Sequence, residues 1–300
     1  MGLLFRKHAN LLWVFLMAGL IVRKQDGNVL LDTNYITHGL VKSGYLQADE
    51  GWSRYVIKGI NVDPNLGTSW NPTSVLELMF SITVPNAQSP ICFIVGPGYL
   101  QGSTRIGSSV KFIFAGASAS TKAYVFDLMG DNIAGSPPWL KCRNQQGAVT
   151  FNSLQVPLNI AGNPQAPGPG PLDRFSRYTT AYNGGVWNVV QDANASRLAI
   201  RTNTVDIAFS AGVEYAASIT FTRACRGYWT NVNGGQFDVG MSEGAYGRVG
   251  GITWIFGPAG GTTQGAGGSY TAEPSAYNLP TDRYPTALVI TTGNLPFPFN

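Results

Sequence analysis

Two pairs of carboxylates lie close together in the chain, Asp127 with Asp131 in FDLMGD and Asp49 with Glu50 in QADEGW. Two acids facing each other can cleave a glycosidic bond, one as proton donor and the other as base or nucleophile. Neither pair has the setting for that reaction. Asp127 follows the strand-like AYVF and Asp131 falls in a turn, while neighbours such as Asp49 and Glu50 point apart in an extended chain. Turn formation and solvation account for all four, and no hydrolase activity is expected. Nucleophilic catalysis needs a base beside the nucleophile, and the chain has only two histidines, His8 and His38. His38, in NYITHGL, lacks a GxSxG elbow and is expected to be structural. No Gly-rich stretch carries the Lys-Ser/Thr of a phosphate-cradling loop. Cys92, Cys142 and Cys225 cannot all pair within one chain, and their spacing does not suggest zinc, so a reducing compartment suits them. No catalytic, cofactor-binding or metal residue is expected.

What remains is a stock of aromatic and small polar residues in loops, as in RGYWTNVNGGQF and TTAYNGGVWN. Aromatic rings offer contact area at low entropic cost, and the small polar groups adapt to protein or glycan partners. Trp187, Tyr228 and Trp229 are therefore candidate interaction residues. Burial of Trp187 and Trp229 in a core is the equal alternative.

The elements that must carry these residues are strands. GLIVRKQDGNVLLDTNY, residues 19–35, returns as WLKCRNQQGAVTFNSLQ at 139–155, at a constant offset of 120. Leu20, Arg23, Gln25, Gly27 and Val29 recur as Leu140, Arg143, Gln145, Gly147 and Val149, and Cys142 takes the place of Val22 as a small apolar strand residue. Apolar alternation on either side of Gln25-Asp26-Gly27 predicts a β-hairpin, with Gly27 and Gly147 at equivalent turns. Runs such as SVLELMFSITV, VKFIFAG, KAYVFDL, GITWIFG and YPTALVITTG are short, β-rich and bounded by turn residues, and no helical periodicity is sustained. The fold class predicted is all-β, an antiparallel sandwich or barrel-like structure in two β-rich halves with long Gly/Pro-rich loops. NGGVWNV at 183–189 and NGGQFDV at 233–239 form a second, shorter echo, each an Asn-Gly turn feeding a strand that begins with a large aromatic.

The expected division is residues 1–16 as an N-terminal extension, 17–160 as a domain with the repeated hairpin, 161–171 as a Pro/Gly linker, and 172–300 as a second domain. The apolar run LLWVFLMAGLIV follows Arg6 and Lys7 but is too short to span a bilayer as a helix. Met17 is the expected natural start, and a signal peptide is the alternative. Residues 240–270 are dense in glycine, and the chain closes on LPFPFN, so both are expected to be ordered by neighbouring subunits, with Phe297 and Phe299 docking there; the alternative is that the loop caps its own sandwich and the tail packs back on it. Charged residues are only 12% of the chain and the net charge of +4 is dispersed, which argues against nucleic acid as a partner.

MAGLIVRKQDGNVLLDT, the KAYVFDL strand and the WLKCRNQQGAVTFNS copy together resemble tail-tip or baseplate virion proteins of long-tailed bacteriophages. That family opens on a GLxVxxxxGxxxxDS pattern, then shows Tyr or Phe before Asp, then a second GLxVxxxxGxxxFxS. The resemblance covers residues 17 to about 160, with Thr33 in place of the usual Ser and Trp139 in place of the usual Gly. It implies a non-enzymatic part made in the host cytoplasm and built into the virion tail. The expected partners are other tail or baseplate proteins and further copies of this chain, with a host-surface glycan or pilus as attachment target and no membrane span. The competing readings are a glycan-binding receptor-recognition module and, more remotely, a polysaccharide depolymerase.

Overall fold

A computed structural model describes residues 21–299 except 24, 28, 33–34, 59–61, 64–65, 132–139, 194–197, 231–235, 261–262 and 266–272. The extension 1–16, the start at Met17 and the turn of the second Asn-Gly-Gly echo lie outside the described residues. The chain is all-β, as its alternation predicts. The strands up to the Pro/Gly segment are β1 (Ile21–Arg23), β2 (Val29–Asp32), β3 (His38–Tyr45), β4 (Gln47–Ile57), β5 (Trp70–Val84) and β6 (Ile91–Val95), then β7 (Tyr99–Ile106), β8 (Ser109–Ala115), β9 (Lys122–Leu128), β10 (Lys141–Arg143) and β11 (Val149–Asn152). Beyond it come β12 (Val186–Ala193), β13 (Leu198–Ala208), β14 (Tyr215–Ile219), β15 (Ala224–Thr230) and β16 (Gln236–Arg248). The last are β17 (Gly251–Pro258), β18 (Thr263–Gly265), β19 (Ser275–Tyr277) and β20 (Ala287–Thr291).

One compact unit combines the described residues up to Thr37 with Met129–Gln155, and so holds both copies of the repeat. In β1–β2 the register is Ile21↔Asp32, Val22↔Leu31, Arg23↔Val29, with a bulge before Arg23. In β10–β11 it is Lys141↔Asn152, Cys142↔Phe151, Arg143↔Val149, with the bulge before Arg143. Arg23 and Arg143 each donate from Nη1 to the carbonyl of their own turn glycine, at 3.0 and 2.8 Å. Gly27 and Gly147 have φ of +85° and +79°, and an added Cβ would meet nothing within 4 Å at either. Backbone sign, not space, calls for glycine there. The connecting segments are tied to the second hairpin: Thr37 N donates to the Thr150 carbonyl at 3.3 Å, and Asn152 Nδ2 to that of Gly130 at 2.9 Å.

The other unit, His38–Leu128 with Val156–Asn300, contains one large curled sheet. Its main path runs β12-β13-β17-β16-β18-β4-β5-β8-β7, and β6, β9 and β3 branch from it, as do β14 with β20 and β15 with β19. Neighbours are antiparallel except β18 with β4 and a single parallel pair, Gly247↔Val95, between β16 and β6. The segment 161–171, expected to be a linker, belongs to this body. Ala161 N donates to the Val289 carbonyl at 2.8 Å, Val289 N to Gly162 and Ala287 N to Pro164 at 2.9 Å each, and Ala166 N to Pro285 at 2.9 Å. Proline removes donors but keeps carbonyls, and the alanines between the prolines supply the N–H groups, so the segment runs as an extended strip along β20.

The cores likewise mix residues from before and after the segment. Leu40, Phe93, Tyr124 and Phe126 cluster with Ala216 and Ile290, and Met79, Tyr99 and Ile113 with Ile255. Tyr99 fills a slot walled by glycines. A Cβ on Gly244 would fall 2.4 Å from Tyr99 Cβ, and one on Gly257 2.3 Å from its ring, while its hydroxyl donates to the Pro258 carbonyl at 2.9 Å. Much of the glycine-dense stretch, residues 240–258, is thus two strands of the sheet, with β17 buried throughout, rather than a loop awaiting a subunit. The tail also packs on its own body. Ser43 and Phe299 exchange backbone hydrogen bonds at 2.7 and 3.0 Å, and Leu295, Phe297 and Phe299 lie half-buried against the Leu40–Phe126 cluster.

Candidate functional site

A cleft of about 450 Å³ opens on the β12–β13 face, lined by Asp173, Thr179, Trp187, Arg201, Glu273 and Ser275, with Pro274 between the last two. Pairing of Val189 with Arg201 and of Trp187 with Asn203 puts these four side chains on one face of the β12–β13 ladder. Asn203 is buried there, its Oδ1 accepting from Ala181 N and Tyr182 N at 3.0 and 3.3 Å, so the chain around 181 covers that end of the face. Trp187 and Arg201 line what stays open.

Asp173 begins a tight turn whose Oδ1 accepts from Phe175 N and Arg177 N at 2.8 and 2.9 Å. That turn, following the last proline of the 161–171 strip, fixes one carboxylate at the rim. The indole of Trp187 is fixed from two sides: Nε1 donates to the Thr179 carbonyl at 2.8 Å, and the ring packs on Trp229 with centroids 6.1 Å apart. Glu273, Pro274 and Ser275 lead into β19, which pairs with β15, and Tyr178 and Ala276 exchange backbone hydrogen bonds at 2.7 and 2.8 Å. Beside the cleft the Arg177 guanidinium stacks 3.9 Å over the Tyr228 ring and lies 5.6 Å from Tyr277. The lining holds two carboxylates and one guanidinium. Arg201 Nε is buried and finds no hydrogen-bond partner among the described residues.

Of the aromatic residues singled out in the sequence, only Trp187 reaches this cleft. Trp229 is fully buried in the core with Trp254, Phe256 and Met241, so it is no surface contact. Tyr228 is half-buried beneath Arg177. Phe297 packs edge-on against Tyr45 at 4.9 Å with Lys122 over its ring, and Phe299 bridges to Ser43. Docking of both rings on a neighbouring subunit is therefore corrected to docking on β3 and β9 of the same chain. Gly27 and Gly147 are turn residues as described above.

The acids have structural partners. Asp127 is buried and accepts three backbone N–H groups, from Gln88, Ser89 and Leu128, at 2.7, 2.7 and 2.8 Å. Asp131 bonds Lys141 and Arg143 at 2.6 and 2.7 Å, and these hydrogen bonds hold its carboxyl below the usual range. Lys111 does the same for Asp49 at 2.9 Å. His38 Nε2 lies 3.1 Å from the Ser89 carbonyl. Among the described residues no three His, Cys, Asp or Glu side chains are grouped to hold a metal ion, and no helix is long and apolar enough to cross a membrane.

Asp173, Arg201 and Glu273 escaped sequence reading, since each looks like an ordinary surface charge. The only local sign was Asp173 itself, placed after Pro171 and two residues before Phe175, a position that favours a side-chain-capped turn. No family model matches the chain, and no curated protein or solved structure does either.

Proposed function

We propose that this chain is a structural protein of the tail tip or baseplate of a tailed phage, non-enzymatic, assembling with other tail proteins and contributing to host attachment. The observation that supports this reading most is the β4–β5 ribbon. Arg54 and Glu77 pair on its inner side, Arg54 Nε to Glu77 Oε2 at 2.9 Å, beside Trp52 and Met79. The outer side carries Tyr55, Leu76 and Leu78, which are 39%, 61% and 51% exposed. Cross-strand pairs Gly51↔Leu78, Ser53↔Leu76 and Tyr55↔Pro72 put all of them on one face. Three large apolar groups side by side form a patch of the kind that assembly covers, unlike the scattered singles found on any surface. From Asn71 to Met79, moreover, β5 has a strand partner on one side only among the described residues, since β8 joins it at Phe80. Such an edge accepts further chains unless it is covered. The duplicated hairpin unit agrees with the tail-protein resemblance.

The test is peptide mass spectrometry of purified particles from a culture producing the protein, alongside particles made with Leu76→Lys and Leu78→Lys. The native chain is expected in the particles and the double variant to be excluded from them. Its stability as an isolated protein should change by no more than about 0.5 kcal/mol, as for other surface changes. Particles without this chain, or normal incorporation of the variant, would overturn the proposal.

A further inference from the structure

We infer that the cleft between β12–β13 and the 171–180 turn is a binding site for a neutral saccharide unit, with Trp187 as the apolar platform and Asp173, Arg201 and Glu273 as hydroxyl partners. Its volume of about 450 Å³ lies within the range of small-ligand sites, roughly 300–1,000 Å³. Three features select the class of ligand. Two carboxylates against one guanidinium leave the lining without the positive excess that a phosphate or a carboxylated ligand needs. Carboxylates and a guanidinium in one lining supply acceptors and donors together, which suits the ring of hydroxyls on a pyranose, each able to donate and accept. The ring of Trp187 is held by its hydrogen bond to Thr179 and by packing on Trp229, so it meets the C–H face of a sugar without losing freedom on binding.

Arg201 strengthens the assignment. It is half-buried and lines the cleft, so the guanidinium N–H groups beyond its buried Nε can donate to ligand hydroxyls. Thr179 Oγ1 donates to the Pro171 carbonyl at 3.1 Å, which leaves its lone pairs to accept from a ligand. The site belongs to the β12–β13 face and does not depend on assembly through the β4–β5 ribbon.

The full 300-residue chain is titrated with glucose, galactose, N-acetylglucosamine and glucuronic acid, read by tryptophan fluorescence and by saturation-transfer NMR of the sugar. At least one neutral sugar should bind saturably with a dissociation constant of about 10 mM or below, the weak range natural to a single unit. Glu273→Gln and Arg201→Gln should each weaken binding roughly 3- to 10-fold, the loss of one or two hydrogen bonds. Trp187→Ala should abolish it and Trp187→Phe retain most of it. Because Trp187→Ala also removes a contact of the Trp229 core, the exposed Glu273 variant, with an unchanged melting temperature, is the decisive one. Absence of saturable binding by every neutral sugar overturns the inference, as does preference for glucuronic acid. Binding indifferent to Glu273, Arg201 and Trp187 alike overturns it too.

Discussion

Glu243 shows how little a residue's type says about its place. It lies in MSEGAY, where an acid between small residues reads as solvated, yet it is fully buried. Arg223 holds it in a two-pronged pair, Nε and Nη2 each 2.7 Å from a carboxylate oxygen, and Tyr182 donates its hydroxyl to Oε1 at 3.0 Å. Burial first, and then the neighbouring Glu243 charge, push the Tyr182 phenol well up, so it stays a donor at any physiological pH. Removing one member of such a set strands the other in a low-dielectric interior. Glu243→Gln should therefore cost about 3–5 kcal/mol by equilibrium urea unfolding, and Arg223→Met with Glu243→Leu should cost less than that single change. A larger loss in the double variant would mean that the ion pair contributes net stability of its own. None of this was legible beforehand, because it follows from the register Ala224↔Ser242, which sets Arg223 opposite Glu243. Trp187 was named from the sequence as either a contact or a core residue, and it lines the cleft. Its partners in the cleft come from three separate places in the chain, and only pairing brings them together.

At the scale of elements, local chemistry was readable and long-range docking was not. Asp-Gly and Gln-Gly flanked by alternating apolar residues specify a hairpin within about a dozen residues, which is why both copies of the repeat and their turn glycines could be named from the sequence. Gly147→Val should destabilise the second hairpin by on the order of 1 kcal/mol through its φ of +79° alone, seen as faster amide exchange across β10 and β11. The tail is the opposite case. Two phenylalanines spaced by prolines announce that rings will dock, and nothing nearby says where. Their acceptor is β3, some 250 residues earlier, through Ser43. The consequence for an experiment is reversed from the sequence expectation: removing residues 295–300 should lower the melting temperature of the isolated chain. Leu295, Phe297 and Phe299 are each half-buried, so the loss should be about 3 kcal/mol, with the buried Tyr124 newly exposed to solvent.

For the whole molecule, composition and alternation were enough for an all-β chain, because a period of two survives whatever the strand order. Strand order itself was hidden, and so was the true division of the chain. Proline and glycine at 161–171 signal a backbone that cannot form an ordinary strand or helix, but they do not tell a free linker from an extended strip hydrogen-bonded to a strand. Here the strip pairs with β20, while Ala217↔Ile94 and Gly247↔Val95 join strands from before the segment to strands after it. Two of the core clusters also draw on both sides. A half chain would therefore leave open sheet edges and uncovered faces at Phe93, Tyr124 and Ile255 that its own residues cannot close. A protease site inserted between Pro167 and Gly168 tests this directly. After cleavage the two pieces should stay together at the mass of the intact chain and melt in one transition, because the contacts that bind them are core contacts. Expressed separately, residues 1–167 and 168–300 should each fail to show cooperative unfolding of the large sheet. Cooperative melting of the 168–300 piece alone, with native-like near-UV signals from Trp229 and Trp254, would instead establish two independent β domains joined by a spacer.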